Sequence, residues 1–207
     1  CLPLPGHALR DTGHGPGGAG PVASAVSAVL NHTVGFDDGP FAPTHRGDVD
    51  LIGAVFSGLR LDGVLRTRVR RDGANATDRI ASVLESSRFC RQLQLILLQG
   101  IAVAGFNVVD IHALERRLGI PVVAVSRREP DLAAVRRALL ASVPGGARKW
   151  RLIERAGPPQ ALDGLWVQCA GCSVEEVRQT IRALAVHGRV PEPLRTAHLI
   201  AGGVSAL

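Results

Sequence analysis

Two adjacent carboxylates follow an apolar, β-branched stretch in the amino-terminal part of the chain. The segment "HTVGFDDGP" places Asp37 and Asp38 after Val34 and directly before Gly39 and Pro40. A turn needs only one Asp and the glycine, and neighbouring acids repel unless a cation or solvent relieves them. Turn chemistry explains Asp38 more easily than Asp37, because a residue so close to a strand core would otherwise be apolar. Such a pair of acids is typical of a site for Mg²⁺ or Mn²⁺, which take oxygen ligands.

Two further acids stand at positions where they could join this pair. Asp72 lies in "RDGANAT", beside Arg70 and Arg71, and Asp110 precedes an apolar helical pattern. A bound divalent cation can generate a hydroxide nucleophile and stabilise the leaving oxygen of a phosphodiester, while arginine balances phosphate charge. Plainer explanations remain open: Asp72 and Gly73 also form a turn signal, and Asp110 would complement a helix dipole.

Strand and helix patterns supply the elements that must position these acids. Three strands joined by short turns come first, with Asp62 and Gly63 as a hairpin signal, and alternating helices and strands follow. The predicted strands are 32–37, 49–59, 63–70, 93–99, 121–126, 149–154 and 165–170, and the predicted helices are 77–90, 108–118, 130–142, 173–188 and 191–203. This order predicts an α/β protein with a ribonuclease H-like mixed sheet: an antiparallel meander of three strands, then parallel crossover strands, with helices on the faces.

Strand direction decides which side chains meet. If the first strand runs up, the third strand and the crossover strand 93–99 also run up, so their carboxyl ends lie at one edge of the sheet. We therefore expect Asp37, Asp38, Asp72 and the corner at Gln99 to lie at that edge, with Asp110 beginning near it.

Six sequence blocks, in order from about residue 33 to 203, resemble one family. They are "GFDDGPF", "LDGVL", "RDGANATDRI", "GIAVAGFNVVDI", "GIPVVAVSRREPD" and "PEPLRTAHLIAGG". They are similar to the endonuclease dU family, which is related to endonuclease V. The resemblance implies a ribonuclease H-like fold and metal-dependent nicking of DNA at deaminated bases, with deoxyuridine as the substrate and DNA repair as the context.

The resemblance also implies roles for single residues. Asp37 matches the first-strand acid of endonuclease V-like sites, and Arg127 or Arg128 would occupy the basic position after a later strand. His198 could assist the metal or a proton transfer, or be an ordinary helix-face histidine, and Arg195 could hold phosphate or pair with Glu192. The candidate catalytic residues are Asp37, Asp72, Asp110 and His198; the candidate metal ligands are Asp37, Asp38 and Asp110; the candidate phosphate-binding residues are Arg70, Arg71, Arg127, Arg128 and Arg195.

One position departs from the endonuclease V pattern. Gln99 stands at a strand end where endonuclease V has Asp, and glutamine offers a carbonyl ligand without charge. Either the metal site uses other acids, or nuclease activity is weak or absent. The alternatives are a nucleic-acid-binding protein of the same fold and a small-molecule binder at the same edge.

Composition sets the wider limits. The chain has 207 residues and a net charge of +6, which suits a phosphate-rich partner such as DNA. The most apolar run, 93–111, is broken by polar residues, no stretch is typical of a signal peptide, and four cysteines do not make a disulfide framework, so we predict a cytoplasmic protein without a membrane span. Residues 1–28, rich in Gly and Pro, predict a flexible leader, and 29–207 a single domain.

Overall fold

Alternating and continuous apolar runs form the strands, and runs with three- and four-residue spacing form the helices. The computed structural model describes residues 29–204. The strands are β1 (His32–Asp38), β2 (Asp48–Ser57), β3 (Arg60–Arg70), β4 (Leu95–Gln99), β5 (Ala102–Val103), β6 (Asn107–Val108), β7 (Val122–Ser126), β8 (Gln160–Leu162) and β9 (Leu165–Ala170). The helices are α1 (Ala76–Glu85), α2 (Ile111–Leu118), α3 (Leu132–Ser142), α4 (Gly146–Ala156), α5 (Val174–Leu184) and α6 (Glu192–Val204).

Seven strands form one mixed sheet in the order β3-β2-β1-β4-β7-β9-β8. β1, β2 and β3 are an antiparallel meander, whereas β4 lies parallel to β1 and β7 parallel to β4. β9 then returns antiparallel to β7. The predicted meander with parallel crossover strands is confirmed, and the parallel strands β1, β4 and β7 end at the same edge of the sheet.

Both faces of the central strands are covered. In β4, Ile96 and Leu98 pack with the α1 and α2 side of the core, while Leu95 and Leu97 pack with the α5 and α6 side. All four side chains are fully buried. A continuous apolar run of this kind is what a strand with helices on both faces requires.

Two predicted elements were wrong. Residues 149–154 belong to the helix α4, whose buried positions Gly146, Lys149 and Ile153 repeat at three- and four-residue spacing. The hairpin turn between β2 and β3 lies at Gly58 and Leu59, not at Asp62 and Gly63.

Gly63 lies within β3 for a packing reason. A β-carbon there would stand 2.5 Å from the ring of Phe89. The register of β3 against β2 also shifts at Val55 and Phe56, opposite this position. The Asp-Gly signal therefore marks a bulge beside a close packing contact rather than a turn.

No helix in the described range 29–204 is long and apolar enough to cross a membrane. The predicted leader, 1–28, lies outside the described residues.

Candidate active site

The carboxyl ends of β1, β4 and β7 enclose one side of a cavity of about 710 Å³. β1 supplies Asp37 and Asp38, β4 supplies Gln99, and Arg127 follows β7 directly. Helix α6 closes the cavity with His198 and Gly202. Because Phe36 is paired with Leu98 across the parallel β1–β4 ladder, Asp37 and Gln99 are next to each other at the strand ends.

Asp37 and His198 form the closest polar contact of this cavity. The Nδ1 atom of His198 lies 2.8 Å from Oδ2 of Asp37. A carboxylate can only accept, so Nδ1 carries the hydrogen and the ring keeps Nε2 for proton exchange. The Asp37 side chain is 8% exposed and that of His198 61% exposed, which gives a buried carboxylate orienting an accessible imidazole.

Glycine in β1 allows α6 to approach closely enough for this contact. A β-carbon on Gly35 would stand 2.4 Å from the backbone carbon of Pro193 and 2.6 Å from the nitrogen of Leu194. Ala197 packs against Ala54 and Phe56 of β2 and is fully buried. Small residues on both sides of this interface therefore place His198 beside Asp37.

The two neighbouring carboxyls of β1 have raised pKa values. Burial raises the pKa of Asp37, although the hydrogen bond and charge of His198 act in the opposite direction. Burial and the charge of Asp37 together raise the pKa of Asp38 to about 6. Oδ1 of Asp37 accepts the backbone N–H of Asp38 at 2.9 Å, and Asp38 accepts the N–H of Ala104. The pair therefore concentrates negative charge that a cation would stabilise.

Gln99 lines the same cavity and carries an unpaired carbonyl oxygen. Its Oε1 atom is buried and has no hydrogen-bond partner within residues 29–204. A buried oxygen without a donor costs free energy unless a ligand supplies the missing interaction.

The donor set fits a hard divalent cation. Two carboxylates and the orphaned amide oxygen of Gln99 are oxygen ligands, which Mg²⁺ and Mn²⁺ prefer, and water completes such sites. The described part of the chain has no group of three or more His, Cys, Asp or Glu residues placed to hold a metal. A metal here would thus depend on Gln99 in addition to Asp37 and Asp38.

Asp72 does not line the cavity, contrary to the predicted convergence. Its backbone conformation is left-handed, with φ of 51°, and Oδ1 accepts the N–H of Phe106 at 2.9 Å. The carboxylate also pairs with Arg71 at 3.2 Å. Asp72 thereby anchors the β5–β6 hairpin, whose Ala104 contacts Asp38 from the other side.

Asp110 also lies outside the cavity. It is the N-cap of α2, where Oδ1 accepts the N–H of Ala113 at 3.0 Å, and its other oxygen pairs with Arg155. Burial raises the pKa of Asp110, but the bonds from Ala113 and Arg155 outweigh it, so the net shift is downward. The plainer of the two interpretations, an acid at the start of a helix, agrees with this position.

Of the predicted phosphate-binding residues, only Arg127 lines the cavity, where its charge acts on Asp37. Arg71 donates to the carbonyls of Pro43 and His45 at 2.6 Å each, and Arg70 lies 3.8 Å from a carboxylate oxygen of Asp48. Arg195 pairs with Glu192 at 3.3 Å, as one of its two predicted alternatives had it. Arg128 is exposed beside Arg127.

Phe41 and Gly202 line the cavity and were not among the predicted site residues. Gly202 follows His198 by four positions, so both lie on one face of α6. That spacing is the sequence signal that could have found Gly202. Phe41 belongs to the "GFDDGPF" block but has no chemistry that would select it in advance.

Two curated relatives and one solved structure are similar to most of this chain. A UPF0215 protein of Deinococcus radiodurans is 55% identical over 176 residues, which cover 85% of this chain and 90% of that protein. A UPF0215 protein of Methanothermobacter thermautotrophicus is 43% identical over 176 residues, covering 83% and 86%. The crystal structure of a protein of unknown function from Archaeoglobus fulgidus superposes with a TM-score of 0.78 at 32% identity, covering 84% of this chain and 97% of that one.

A more distant solved structure identifies the fold. Endonuclease V of Bacillus subtilis matches with a TM-score of 0.56 at 13% identity, covering 86% of this chain and 81% of that chain. The predicted ribonuclease H-like fold is therefore confirmed. The family model described as Endonuclease dU matches residues 30–205, and this chain belongs to the endonuclease dU family.

Proposed function

We propose that this protein is a metal-dependent endonuclease that nicks DNA at deaminated bases, with deoxyuridine as the substrate and DNA repair as its role. Its membership of the endonuclease dU family supports a nuclease. Endonuclease V of Ciona intestinalis, solved with DNA containing an inosine, matches with a TM-score of 0.51 at 13% identity over 81% of this chain and 82% of that chain. We propose that the present chain likewise binds DNA that contains a deaminated base.

One observation carries the proposal: a buried carboxylate, a second carboxylate, a glutamine with an unpaired amide oxygen and an accessible histidine line one cavity. Asp37 contacts His198 at 2.8 Å, and Asp38 and Gln99 line the same wall. Oxygen donors beside a proton-exchanging group are what hydrolysis of a phosphodiester requires.

The side chains divide the work of hydrolysis. Asp37, Asp38 and Gln99 would hold Mg²⁺ or Mn²⁺, which would supply a Lewis acid for the phosphodiester. Asp37 accepts from Nδ1 of His198 and so orients the ring, leaving Nε2 to take up or release a proton. Arg127, exposed at the cavity wall, binds the negatively charged phosphate.

The test is a nicking assay on a labelled duplex with one deoxyuridine, compared with the same duplex carrying thymidine. We expect nicking of the first duplex with Mg²⁺ or Mn²⁺ and none with chelator. Asp37→Asn should reduce the rate by about 100-fold or more. Asp62→Asn is the matched control, because Asp62 lies near the start of β3, at the opposite edge of the sheet from the cavity. Equal activity of Asp37→Asn and wild type would refute the site.

Asp72→Asn and Asp110→Asn belong in the same assay. Both residues were predicted to be catalytic, and both lie outside the cavity with structural partners. Loss of nicking by a folded Asp110→Asn protein would mean that the site extends beyond the cavity. Retained nicking would limit the catalytic residues to Asp37 and its neighbours.

A nucleic-acid-binding protein without nuclease activity is the second candidate, and the neutral Gln99 is the observation that favours it. If the wild-type protein nicks neither duplex but binds DNA with salt-dependent affinity, this second function replaces the first. Failure of both nicking and DNA binding would exclude both.

A further inference from the structure

Most of the net positive charge of the chain is concentrated in one segment. Residues 127–156 contain eight Arg and Lys residues and three acidic residues, an excess of +5, whereas the whole chain carries +6. The segment begins directly after β7 and contains α3 and α4, two helices that pack on each other. The rest of the chain is therefore close to neutral.

The arginines of this segment are exposed and largely free of carboxylates. Arg136, Arg137, Arg148 and Arg151 are exposed, and none of them lies within ion-pair distance of an acidic group in the described range. Only Arg155 among the arginines of α4 is paired, with Asp110. Unpaired exposed guanidinium groups are available to an external anion.

Elsewhere arginines are commonly neutralised within the protein. Arg66 and Arg68 both donate to Asp50, and Arg182 donates to Asp163 at 2.6 Å. The four exposed arginines of α3 and α4 named above differ from these arginines because they have no carboxylate partner, and not only because they are numerous.

The α3–α4 pair lies at the same sheet edge as the cavity. Arg127, which lines the cavity, leads from β7 towards α3. From α4, Lys149 donates to the backbone oxygen of Asp72 at 2.5 Å. The α3–α4 turn at Ser142 lies with Arg46 around a further cavity of about 300 Å³. Exposed positive charge thus continues from the cavity along both helices.

We propose that the arginine surface of α3 and α4, formed by Arg136, Arg137, Arg148 and Arg151, binds the phosphate backbone of a DNA duplex next to the phosphodiester in the cavity. The inference rests on the proposed function for the identity of the polymer. Arg148 and Arg151 are three positions apart on α4 and so lie on one face. Their contacts are electrostatic and independent of sequence, which gives overall affinity rather than base choice.

The test measures DNA binding without catalysis. Fluorescence anisotropy of a labelled duplex lacking deoxyuridine, with metal chelated, is followed at several salt concentrations. The variant is Arg137→Gln/Arg148→Gln/Arg151→Gln, which leaves Arg136 in place because its guanidinium lies over the ring of Trp150 at 5.9 Å. We expect affinity to fall roughly tenfold to a hundredfold. The slope of log affinity against log salt should decrease by about one for each arginine that binds phosphate.

The matched control removes the same charge from the opposite edge of the sheet. Arg91, Arg116 and Arg189 are exposed and precede β4, β7 and α6, at the ends away from the cavity. The corresponding triple glutamine variant should bind DNA within about twofold of wild type. A lysine version of the α3–α4 variant should retain most of the affinity, because lysine also binds phosphate as a point charge.

The proposal is overturned if the α3–α4 variant binds as tightly as the control variant, or if its lysine version loses as much affinity as the glutamine version. Binding by wild type that does not depend on salt would also overturn it. Because metal is chelated and the duplex lacks deoxyuridine, failure of nicking leaves this result unaffected, and the two proposals fail separately.

Discussion

Asp37 and Asp38 are adjacent in the chain but have different neighbours. Asp37 is buried and bonded to His198, which partly offsets the cost of its charge. Asp38 has the charge of Asp37 beside it and titrates at about 6. At neutral pH most of Asp38 is ionised, and the free energy that its charge costs beside Asp37 is available to favour cation binding.

The raised pKa of Asp38 predicts a pH dependence of stability. The folded pKa, about 6, exceeds the unfolded value near 3.8, so between these values the folded state holds more protons. The free energy of unfolding should therefore fall as pH rises from about 4 to about 6. Asp38→Asn should remove this part of the fall, measured as urea unfolding of the metal-free protein. An unchanged pH profile in the variant would contradict the assignment.

Gln99 predicts opposite effects on stability and metal binding. Gln99→Glu adds a third acid beside two others, so we expect it to lower the free energy of unfolding of the metal-free protein by about 1–3 kcal/mol. The same change should tighten Mn²⁺ binding several-fold, because affinity rises with ligand charge. Calorimetric titration with Mn²⁺ measures the second effect, and Gln92→Glu, an exposed change, serves as control. Weaker Mn²⁺ binding by Gln99→Glu would show that this side chain does not face the cation.

For single residues, the sequence predicted those positions that follow from where a strand ends. Asp37 and Asp38 are the last two residues of β1, so their position required only the end of the strand. The role of Asp72 could not be predicted, because its carboxylate is held by Phe106, 34 residues further along. The sequence also does not show that the amide oxygen of Gln99 lacks a hydrogen-bond partner, because that depends on every neighbour of the side chain.

At the scale of elements, the contact between α6 and β1 sets the geometry of the cavity. Gly35 admits the backbone of α6 at Pro193, and His198 then reaches Asp37. The position of the histidine thus depends on a glycine that makes no contact with the reacting groups.

Gly35→Ala should separate His198 from Asp37. The added β-carbon would meet backbone atoms at 2.4 Å and 2.6 Å, and backbone cannot move aside as a side chain can. We expect a loss of about 1–3 kcal/mol in the free energy of unfolding, together with a changed imidazole chemical shift of His198. Gly203→Ala on α6 is the control, because nothing lies within 4 Å of its β-carbon and alanine favours helix. A Gly35→Ala protein as stable as wild type, with an unchanged His198 shift, would contradict this account.

Element prediction succeeded where periodicity was long. The meander strands and α5, with its Ser173 and Glu176 capping box, follow directly from alternation and capping. The sequence pattern predicts a strand at 149–154 instead of α4, because six residues are too few to distinguish a period of two from one of 3.6. β5 and β6 have two residues each, and such strands carry no periodic signal.

At the scale of the whole molecule, the chain order explains why so much of the topology was predictable. Short turns force β1, β2 and β3 to be antiparallel, and the long helical connections to β4 and β7 permit parallel strands. The concentration of charge in α3 and α4 is visible in the sequence, but its place beside the cavity is not. That place depends on the contact between Lys149 of α4 and the backbone oxygen of Asp72, which the sequence does not show.

The cavity lies on the most buried strands, so metal binding should act on global unfolding. At a metal concentration of about 100 Kd, the free energy of unfolding should rise by about 2.7 kcal/mol. Hydrogen exchange is the measurement: fully buried β1 and β4 residues such as Phe36 and Leu97 should gain this full protection with Mn²⁺. Exposed α4 residues such as Arg148 exchange by local opening and should gain little. The Asp37→Asn protein is the control and should gain none. Protection that rises in α4 but not in β1 would place the bound cation elsewhere. A cation bound at the strand ends must stabilise the strands that hold it, so it cannot protect α4 alone.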